Sequence, residues 1–240
     1  MAAELNMAYP DGGHYFISVD CSLMKNIRNL VVNGRPSPLP MGKINYLVLT
    51  QGIATLDGRA ETPEGIDRKL ALHYYGRMLF ARLLLPQLQM EGKGDSAVLS
   101  DLSAGVHSAY TNFDDLELKK NFSLKNAADA AGFYNDLALD ALARDAPNVS
   151  FCHAAPGMVA TNWGSEFPKI LRYPLRFLQS AFAATPNQCA EQMIAGVLAR
   201  RAGCLHLFGP KGEDVLLTQA HTADRRIALW SHTLRVLEST

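Results

Sequence analysis

The chain has 240 residues and a mass of 26.2 kDa, enough for one α/β domain with a sizeable core and too few for two comfortable domains. It carries 23 Lys and Arg residues and 23 Asp and Glu residues, so its formal net charge is zero. This balance produces no overall electrostatic attraction for nucleic acid, and we expect a small-molecule ligand. Four cysteines without a CxxC pair argue against a zinc site and a disulfide framework, and no segment reaches the roughly 18 apolar residues of a membrane span. We therefore expect one cytoplasmic domain over residues 1–240, with no metal.

Strand-like and helical segments alternate from the beginning of the chain. Residues 14–20 are rich in β-formers and follow the turn signal Pro-Asp-Gly-Gly, so they predict a strand. Ser22 can cap the helix that comes next, and the Asn-Gly pair and three prolines of residues 33–40 end it and predict a linker. Residues 44–50 are mostly apolar and predict a strand buried on both faces.

The middle of the chain repeats this alternation. Residues 64–89 carry apolar side chains at helical spacing and predict the longest helix, which Pro86 kinks or closes. A third strand is predicted over residues 97–102. The polar connection over residues 104–122 is long for a compact domain, which is typical of functional loops. A second long helix is predicted over residues 124–144.

The last third of the chain contains the loop that we expect to face a ligand. Residues 148–161 predict a buried strand followed by a loop that contains Pro-Gly and a Thr. Thr185 can cap a helix over residues 186–201, and residues 203–208 predict a last strand before a helical tail from residue 214 onward. Such alternation predicts a parallel sheet with helices on both faces.

Several pieces of this pattern, taken together, point to a known family. They are Ile17-Ser18-Val19-Asp20, Leu47-Val48-Leu49-Thr50-Gln51-Gly52, His73-Tyr74-Tyr75-Gly76, Pro86, and Ala155-Pro156-Gly157 with Thr161. In this order and spacing they resemble the short-chain dehydrogenase/reductase family, especially its fungal, retinol-dehydrogenase-like members. The similarity runs from about Tyr9 to about Gly209.

The chain departs from this family at its beginning. The family opens with a strand and a TGxxxGxG turn, whose backbone amides hold the pyrophosphate of the cofactor. Nothing before Asp20 supplies that turn, because Gly12-Gly13 precedes its predicted strand. The resemblance places the start of the chain near the end of the family's second helix, so we expect the first two strands to be absent. The predicted fold class is α/β, an incomplete Rossmann-like doubly wound parallel sheet with helices on both faces.

The chain also departs from the family in its catalytic motif. The resemblance implies acid catalysis by a Tyr, assisted by a Lys four residues later. No Tyr of this chain is followed by Lys at that spacing, and the alternative alignments fill the two positions with Ser123 and Ala127, Asn126 and Ala130, or Ala128 and Gly132. Tyr134 lies six or more residues from each candidate Tyr position, which makes it a poor substitute.

Five residues are candidates for acid, base or hydrogen-bonding roles. His73, or Tyr74 beside it, can face the ligand from its helix, although packing is the alternative for both. Asp101, Ser103 and His107 follow the end of a strand, where open α/β sheets bind ligands, and a loop or capping role is their alternative. His153 lies inside a strand and is expected to be a hydrogen-bonded core histidine.

The joint loss of the phosphate turn and the Tyr/Lys pair leads to a functional prediction. We expect a redox-inactive enzyme of fungal secondary metabolism that uses no cofactor and isomerises or cyclises an apolar small molecule, with a homodimer left open. One alternative is an NADPH-dependent reductase, and another is a non-catalytic binding protein. If a cofactor binds, the resemblance assigns its contacts to Asp20, Gln51, Gly52, Pro156, Gly157 and Thr161.

Overall fold

A computed structural model describes residues 2–33, 42–91, 95–162, 164 and 167–240. The strands are β1 (Tyr46–Leu49), β2 (Ser96–Asp101), β3 (Val149–Ala154) and β4 (Leu205–Phe208). The α-helices are α1 (Ala2–Ala8), α2 (Met24–Arg28), α3 (Arg68–Leu70), α4 (Gly76–Leu83), α5 (Leu85–Gln89), α6 (Leu124–Asp145), α7 (Lys169–Phe182), α8 (Pro186–Leu198) and α9 (Ala223–Ser239). Two π-helical turns, Asn29–Asn33 and Ala71–Tyr75, and the 3-10 turn Phe113–Asp115 complete the regular structure of these ranges.

The four strands form one parallel sheet in the order β1-β2-β3-β4. Strands β2 and β3 lie in the middle and are buried along nearly their whole length, as their continuous apolar character predicts. The edge strand β1 is different, because Tyr46 and Val48 are 53% and 55% exposed. The sheet therefore ends at β1 within the described residues.

Helices cover both faces of the sheet, so the predicted fold class is confirmed. Val98 and Phe151 pack on one face with residues of α4, α6 and α9. Leu99 and Cys152 point to the opposite face and pack against α8. This alternation follows from the two-residue period of a strand, which sends successive side chains to opposite faces.

The first predicted strand, over residues 14–20, does not form. These residues pair with no strand of the described chain, and Tyr15 and Phe16 are 75% and 65% exposed. Ser22 does not cap the next helix either, since its N–H and hydroxyl both donate to Asp20. The carboxylate of Glu64 instead accepts the first two N–H groups of α2, at 2.7 and 2.9 Å. The predicted linker lies, apart from Asn33, outside the described residues.

The helix predicted over residues 64–89 is a chain of shorter segments that begins at Arg68. Asp67 caps it, because its carboxylate accepts the N–H groups of Lys69 and Leu70 at 3.0 and 3.2 Å. Pro86 lies in the first turn of α5, so it begins a new segment where its missing N–H is tolerated. Across the part of the chain that is described, no helix combines the length and the apolar character needed to cross a membrane.

Candidate functional site

A cavity of about 1010 Å³ opens at the carboxyl ends of the first three strands. This edge is where open parallel sheets bind ligands. Its floor carries Thr50, Gly52, His73, Arg77 and Asp101. The loop after β3 lines one side with Pro156, Gly157 and Thr161, and α8 adds the apolar side chains of Cys189, Met193 and Ile194.

Asp101 is the acidic group of the cavity floor. It ends β2, and its Oδ1 atom is buried without a hydrogen-bond partner among the described residues. Burial raises the pKa of Asp101 from its ordinary value of 3.8 to about 6, although the Arg77 guanidinium opposes the shift. Asp101 can therefore hold or release a proton close to neutral pH.

Arg77 belongs to the floor and joins the ends of two strands. Its side chain is fully buried and donates to the carbonyl of Gln51 at 2.6 Å, to the hydroxyl of Ser100 at 2.8 Å and to the carbonyl of Asp101 at 2.9 Å. Burial lowers the pKa of Arg77 to about 10, so the guanidinium remains charged at neutral pH. This buried cation fixes the backbone on either side of the cavity and was not predicted from the sequence.

His73 occupies the π-helical turn Ala71–Tyr75 and is the second titratable group of the floor. Its Nε2 atom accepts the N–H of Ile53 at 2.9 Å, which places the ring proton of neutral His73 on Nδ1. Burial lowers the pKa of His73 to about 4, and the nearby Arg77 and Lys69 add to the shift. A side chain at Gly52 would come within 2.8 Å of the His73 ring, so glycine allows this approach.

Asn135 lies on helix α6 and connects the side chain of Arg77 to the backbone of His73 through hydrogen bonds. Its amide nitrogen donates to the carbonyl of His73 at 2.9 Å and to that of Ala131 at 2.7 Å. Its amide oxygen accepts the hydroxyl hydrogen of Ser100 at 2.7 Å. A continuous hydrogen-bonded network thus runs from Arg77 through Ser100 and Asn135 to the backbone of His73.

Only two of the five predicted catalytic residues, His73 and Asp101, line this cavity. Tyr74 points the other way, is fully buried and bonds to Thr233 at 2.5 Å, and burial raises the pKa of its phenol. Ser103 has a buried hydroxyl without a partner among the described residues, and His107 joins a separate buried cluster. The structure therefore does not bring Tyr74, Ser103 and His107 together with the floor.

That separate cluster centres on Asp136 of helix α6. Its Oδ1 atom accepts His153 Nδ1–H at 2.5 Å, and its Oδ2 atom accepts Nε2–H of His107 at 3.1 Å and of His221 at 3.0 Å. Burial opposes the charge, but His153 and the hydrogen bonds from all three rings hold the pKa of Asp136 well below its usual range. The cluster joins β3, α6, the loop after β2 and the segment before α9.

The hydrogen bonds give each ring of this cluster a different environment. His153 Nε2 accepts the N–H of Ser103 at 3.1 Å, so His153 is neutral and, as predicted, a satisfied core histidine. His221 Nδ1 lies 3.0 Å from the backbone nitrogen of Thr218 and 3.3 Å from its carbonyl oxygen. His107 faces acceptors with both nitrogens, Asp136 and the Ser103 carbonyl, and is therefore an imidazolium. Burial lowers the pKa of His107, but its bonds to Asp136 outweigh burial and raise it. In the described ranges no group of three or more His, Cys, Asp or Glu residues is arranged to hold a metal.

Four of the six expected cofactor contacts meet at the cavity: Gly52, Pro156, Gly157 and Thr161. Gly157 has φ +69°, and a Cβ atom there would lie 3.0 Å from Pro210, so the loop requires glycine at this position. Asp20 is instead held by Ser22, and Gln51 is bound through its carbonyl to Arg77. Both lie outside the cavity lining.

These residues fit the nicotinamide half of a dinucleotide cofactor. Asp101 and the loop that contains Gly157 line the same cavity. The described residues supply no comparable site for the phosphate half of the cofactor. Residues 2–33 form no strand, and therefore no strand-to-helix glycine turn. The chain supplies one end of such a site in its described part.

Comparison with curated proteins identifies fungal relatives. The chain is 41% identical over 167 residues to an oxidoreductase of Emericella nidulans, covering 69% of this chain and 48% of that protein. It is 31% identical over 160 residues to an NmrA-like family domain-containing oxidoreductase of an Aspergillus species, covering 66% of this chain and 47% of that protein. The chain thus spans about half the length of these relatives. No protein-family model matches it.

Solved structures show the same fold. The NADPH-bound carbonyl reductase from chicken fatty liver has a TM-score of 0.58 at 13% identity and covers 90% of this chain and 81% of its own. A 7α-hydroxysteroid dehydrogenase complexed with NADH has a TM-score of 0.56 at 16% identity, and the match covers 89% of this chain and 80% of that protein. The nicotinamide cofactors of these neighbours overturn the prediction that no cofactor is used.

A more distant relative extends the similarity along the sequence. Mouse polyprenol dehydrogenase is 26% identical over 232 residues, which cover 92% of this chain and 68% of that protein. A short-chain dehydrogenase of Arthrobotrys oligospora is 25% identical over 218 residues, or 82% and 66% of the two chains. Together with the parallel sheet, these relatives make the chain similar to the short-chain dehydrogenase/reductase family along most of its length.

Proposed function

We propose that the chain is an NAD(P)H-dependent oxidoreductase that interconverts a carbonyl and an alcohol in the cavity above β1, β2 and β3. The observation that carries this proposal is the carboxyl of Asp101, which lines the cavity at the edge where parallel sheets bind ligands, has an unpartnered buried oxygen and has a pKa of about 6. The oxidoreductase names of the curated relatives support it. The redox-inactive isomerase expected from the sequence has no such support.

The residues of the loop after β3 give the cofactor its place in this proposal. Pro156, Gly157 and Thr161 would hold the nicotinamide end, with Gly52 opposite them. When bound, the cofactor supplies or accepts the hydride. Since the chain spans about half of its curated relatives, the activity of the whole protein is part of the same proposal.

Asp101 takes the acid role that a Tyr has elsewhere in the family. Its protonated carboxyl can donate to the carbonyl oxygen of a substrate as the alcohol forms. The carboxylate that remains lies near the Arg77 guanidinium, and this cation lowers the cost of the new charge. His73 stays neutral in this pH range and can hold the substrate oxygen by a hydrogen bond without titrating.

The remaining wall of the cavity selects the substrate. Helix α8 presents Cys189, Met193 and Ile194, and Met158 and Val159 follow from the loop after β3. These side chains make the α8 side of the cavity apolar, while the polar groups lie on the floor and at Thr161, Asn162 and Gln179. This division suits an apolar molecule that carries one carbonyl group.

The test is the pH dependence of carbonyl reduction by the full chain with NADPH. We expect the rate to fall as the pH rises through about 6, because Asp101 then loses the proton that it donates. Asp101→Asn removes the acid and lowers the rate by about 100-fold or more, with the pH dependence lost. The control Asp114→Asn changes an exposed loop carboxylate and leaves the rate and its pH dependence unchanged. Full activity in Asp101→Asn would refute the acid role, and failure of the chain to bind NADPH in calorimetry would refute the function.

A further inference from the structure

The face of strand β1 that borders the cavity remains open to solvent. Val48 lines the cavity, and Tyr46 lies on the same face of the strand because successive side chains alternate between the two faces. Both side chains are large, and they are 55% and 53% exposed. Their neighbours on β2, Leu99 and Ala97, are instead buried against helix α8. The covered surface of the sheet therefore ends beside β1.

Helix α8 supplies a second apolar wall next to this open face. Ala190 and Ile194 line the cavity, and Leu198 continues their stripe at the four-residue spacing of a helix. Ile194 and Leu198 are 55% and 62% exposed. Met193, in the neighbouring stripe of α8, is buried against the sheet. The exposed stripe of α8 therefore borders the uncovered face of β1.

The two walls run side by side in opposite chain directions. Pro186, at the start of α8, lines the cavity at the carboxyl ends of the strands. After the helix, the N–H of Gly203 donates to the carbonyl of Val149, the first residue of β3, at 2.9 Å. Helix α8 therefore leads from the carboxyl ends of the strands to their amino ends, and Leu198 lies toward the same end as Tyr46. We call the space between the walls the β1–α8 trough, which is lined by Tyr46, Val48, Ala190, Ile194 and Leu198.

The two walls give the trough nearly the same length. From Tyr46 to Thr50 the chain advances four residues, about 13 Å at the rise of a strand. From Ala190 to Leu198 it advances eight residues, about 12 Å at the rise of a helix. An extended alkyl chain of roughly ten carbons has this length. Because the trough leads away from the cavity floor along one strand and one helix, it suits a long and narrow molecule.

The charges around the trough identify its occupant. Among the described residues that line the cavity, Arg77 and Asp101 carry the charges, and both belong to the floor. The five side chains of the trough are uncharged, so they suit an alkyl chain, which is stabilised by leaving water. Since Val48 and Ile194 belong to both the cavity and the trough, one molecule can fill the trough and present a carbonyl to Asp101.

We propose that the substrate is an extended aliphatic carbonyl compound whose alkyl chain lies in the β1–α8 trough. This inference rests on the proposed function, and it makes Tyr46 and Leu198, at the far end of the trough, the residues that select chain length. A compact ring compound with the same number of carbons would leave the trough filled with water. The shape of the substrate is therefore the property that distinguishes the proposal.

The first test is the binding of alcohols to the full chain without cofactor, measured by calorimetry. Decanol and adamantanol have the same number of carbons but different shapes, and we expect the dissociation constant of decanol to be about tenfold lower. From hexanol to dodecanol the dissociation constant should fall severalfold with each added pair of methylene groups, and longer alcohols should gain little more. Equal affinities for decanol and adamantanol would overturn the proposal.

A variant at the far end tests the position of the chain. Leu198→Ser should weaken the binding of dodecanol about fivefold or more and leave that of hexanol unchanged, because only the longer alcohol reaches this end. The control Ile227→Ser removes a side chain of α9 that is 58% exposed, close to the 62% of Leu198, and should leave every affinity unchanged. Equal effects of Leu198→Ser on both alcohols would contradict the trough.

Reduction of the matching aldehydes separates this inference from the proposed function. With NADPH we expect a lower KM for dodecanal than for hexanal. Alcohol binding that follows chain length, without reduction of any aldehyde, would support the trough and refute the reductase. Reduction with a KM that does not depend on chain length would refute the trough alone. A dimer that Leu198→Ser dissociates, while neither form binds the alcohols, would assign the trough to a second copy of the chain and overturn the proposal.

Discussion

His73 is a buried histidine that the fold keeps neutral. Its ring accepts the N–H of Ile53, and burial lowers its pKa to about 4 against an ordinary value of 6.5. The unfolded chain therefore takes up a proton at this residue at a higher pH than the folded chain does. Stability contributed by neutral His73 is complete above pH 6.5 and is lost as the pH falls toward 4.

Replacing His73 with Gln removes this source of acid sensitivity. Between pH 6.5 and pH 4 we expect the free energy of unfolding of the wild type to fall by on the order of 3 kcal/mol more than that of His73→Gln. Urea unfolding at a series of pH values measures the difference. His14→Gln, outside the cavity, should retain the wild-type slope, and equal slopes for the wild type and His73→Gln would show that His73 is not buried in its neutral form.

Asp136 is the residue on which the buried histidine cluster depends. Asp136→Asn leaves the His107 imidazolium without its carboxylate in a buried position, so we expect a loss of about 3 to 5 kcal/mol in the free energy of unfolding. Asp140 lies one turn later on the same helix and pairs near the surface with Arg144 and Arg226. Asp140→Asn should cost about 1 kcal/mol or less, and similar losses for the two variants would contradict the cluster.

The sequence predicted some of these residues and missed others for a physical reason. Asp101 and His73 were found because they follow a strand end or face one side of a helix, and both are local signals. Arg77, Asn135 and Asp136 act through partners up to 85 positions away in sequence, which no local pattern contains. The available signal was the pair of polar residues at 135 and 136 in the middle of an otherwise apolar helical stretch.

At the scale of elements, helix α6 meets the loop after β2 at Gly132. A Cβ atom there would lie 2.3 Å from Nδ1 of His107 and 2.7 Å from the Ser103 hydroxyl. Gly132→Ala must therefore displace the loop, although alanine favours an unconstrained helix by about 1 kcal/mol. We expect a net destabilisation and a lower thermal midpoint.

A matched glycine shows whether contact with the loop is the cause. A Cβ atom at Gly58 would have no neighbour within 4 Å in the described part of the chain, so Gly58→Ala should leave the midpoint nearly unchanged. Thermal unfolding followed by circular dichroism measures both variants. A stabilised Gly132→Ala protein would show that the loop does not pack on α6 as described.

Elements that depend on local signals followed the sequence closely. Helix α6 begins after its Ser123 cap, and Thr185 and Gln188 form a complete capping box at the start of α8. The predicted strand over residues 14–20 failed because a strand also needs a neighbour with which to pair. β-rich composition alone does not supply that neighbour.

At the scale of the whole molecule, the order of the strands determines the position of the site. Parallel strands β1, β2 and β3 bring their carboxyl ends to one edge, and the residues that follow them surround one cavity. This position was predictable from the alternation of strands and helices. The expectation that no cofactor is used was wrong, because it rested on two missing motifs, whereas neighbours of the same fold hold nicotinamide cofactors.

We propose that hydride transfer takes place in this cavity. The most direct measurement uses NADPH deuterated at the transferable position of the nicotinamide, with the full chain and an apolar carbonyl compound, and reads the product by mass spectrometry. We predict an alcohol that contains one deuterium from the cofactor and that Asp101→Asn forms far more slowly. A product with the mass of its substrate and no deuterium, formed equally without NADPH, would contradict the account.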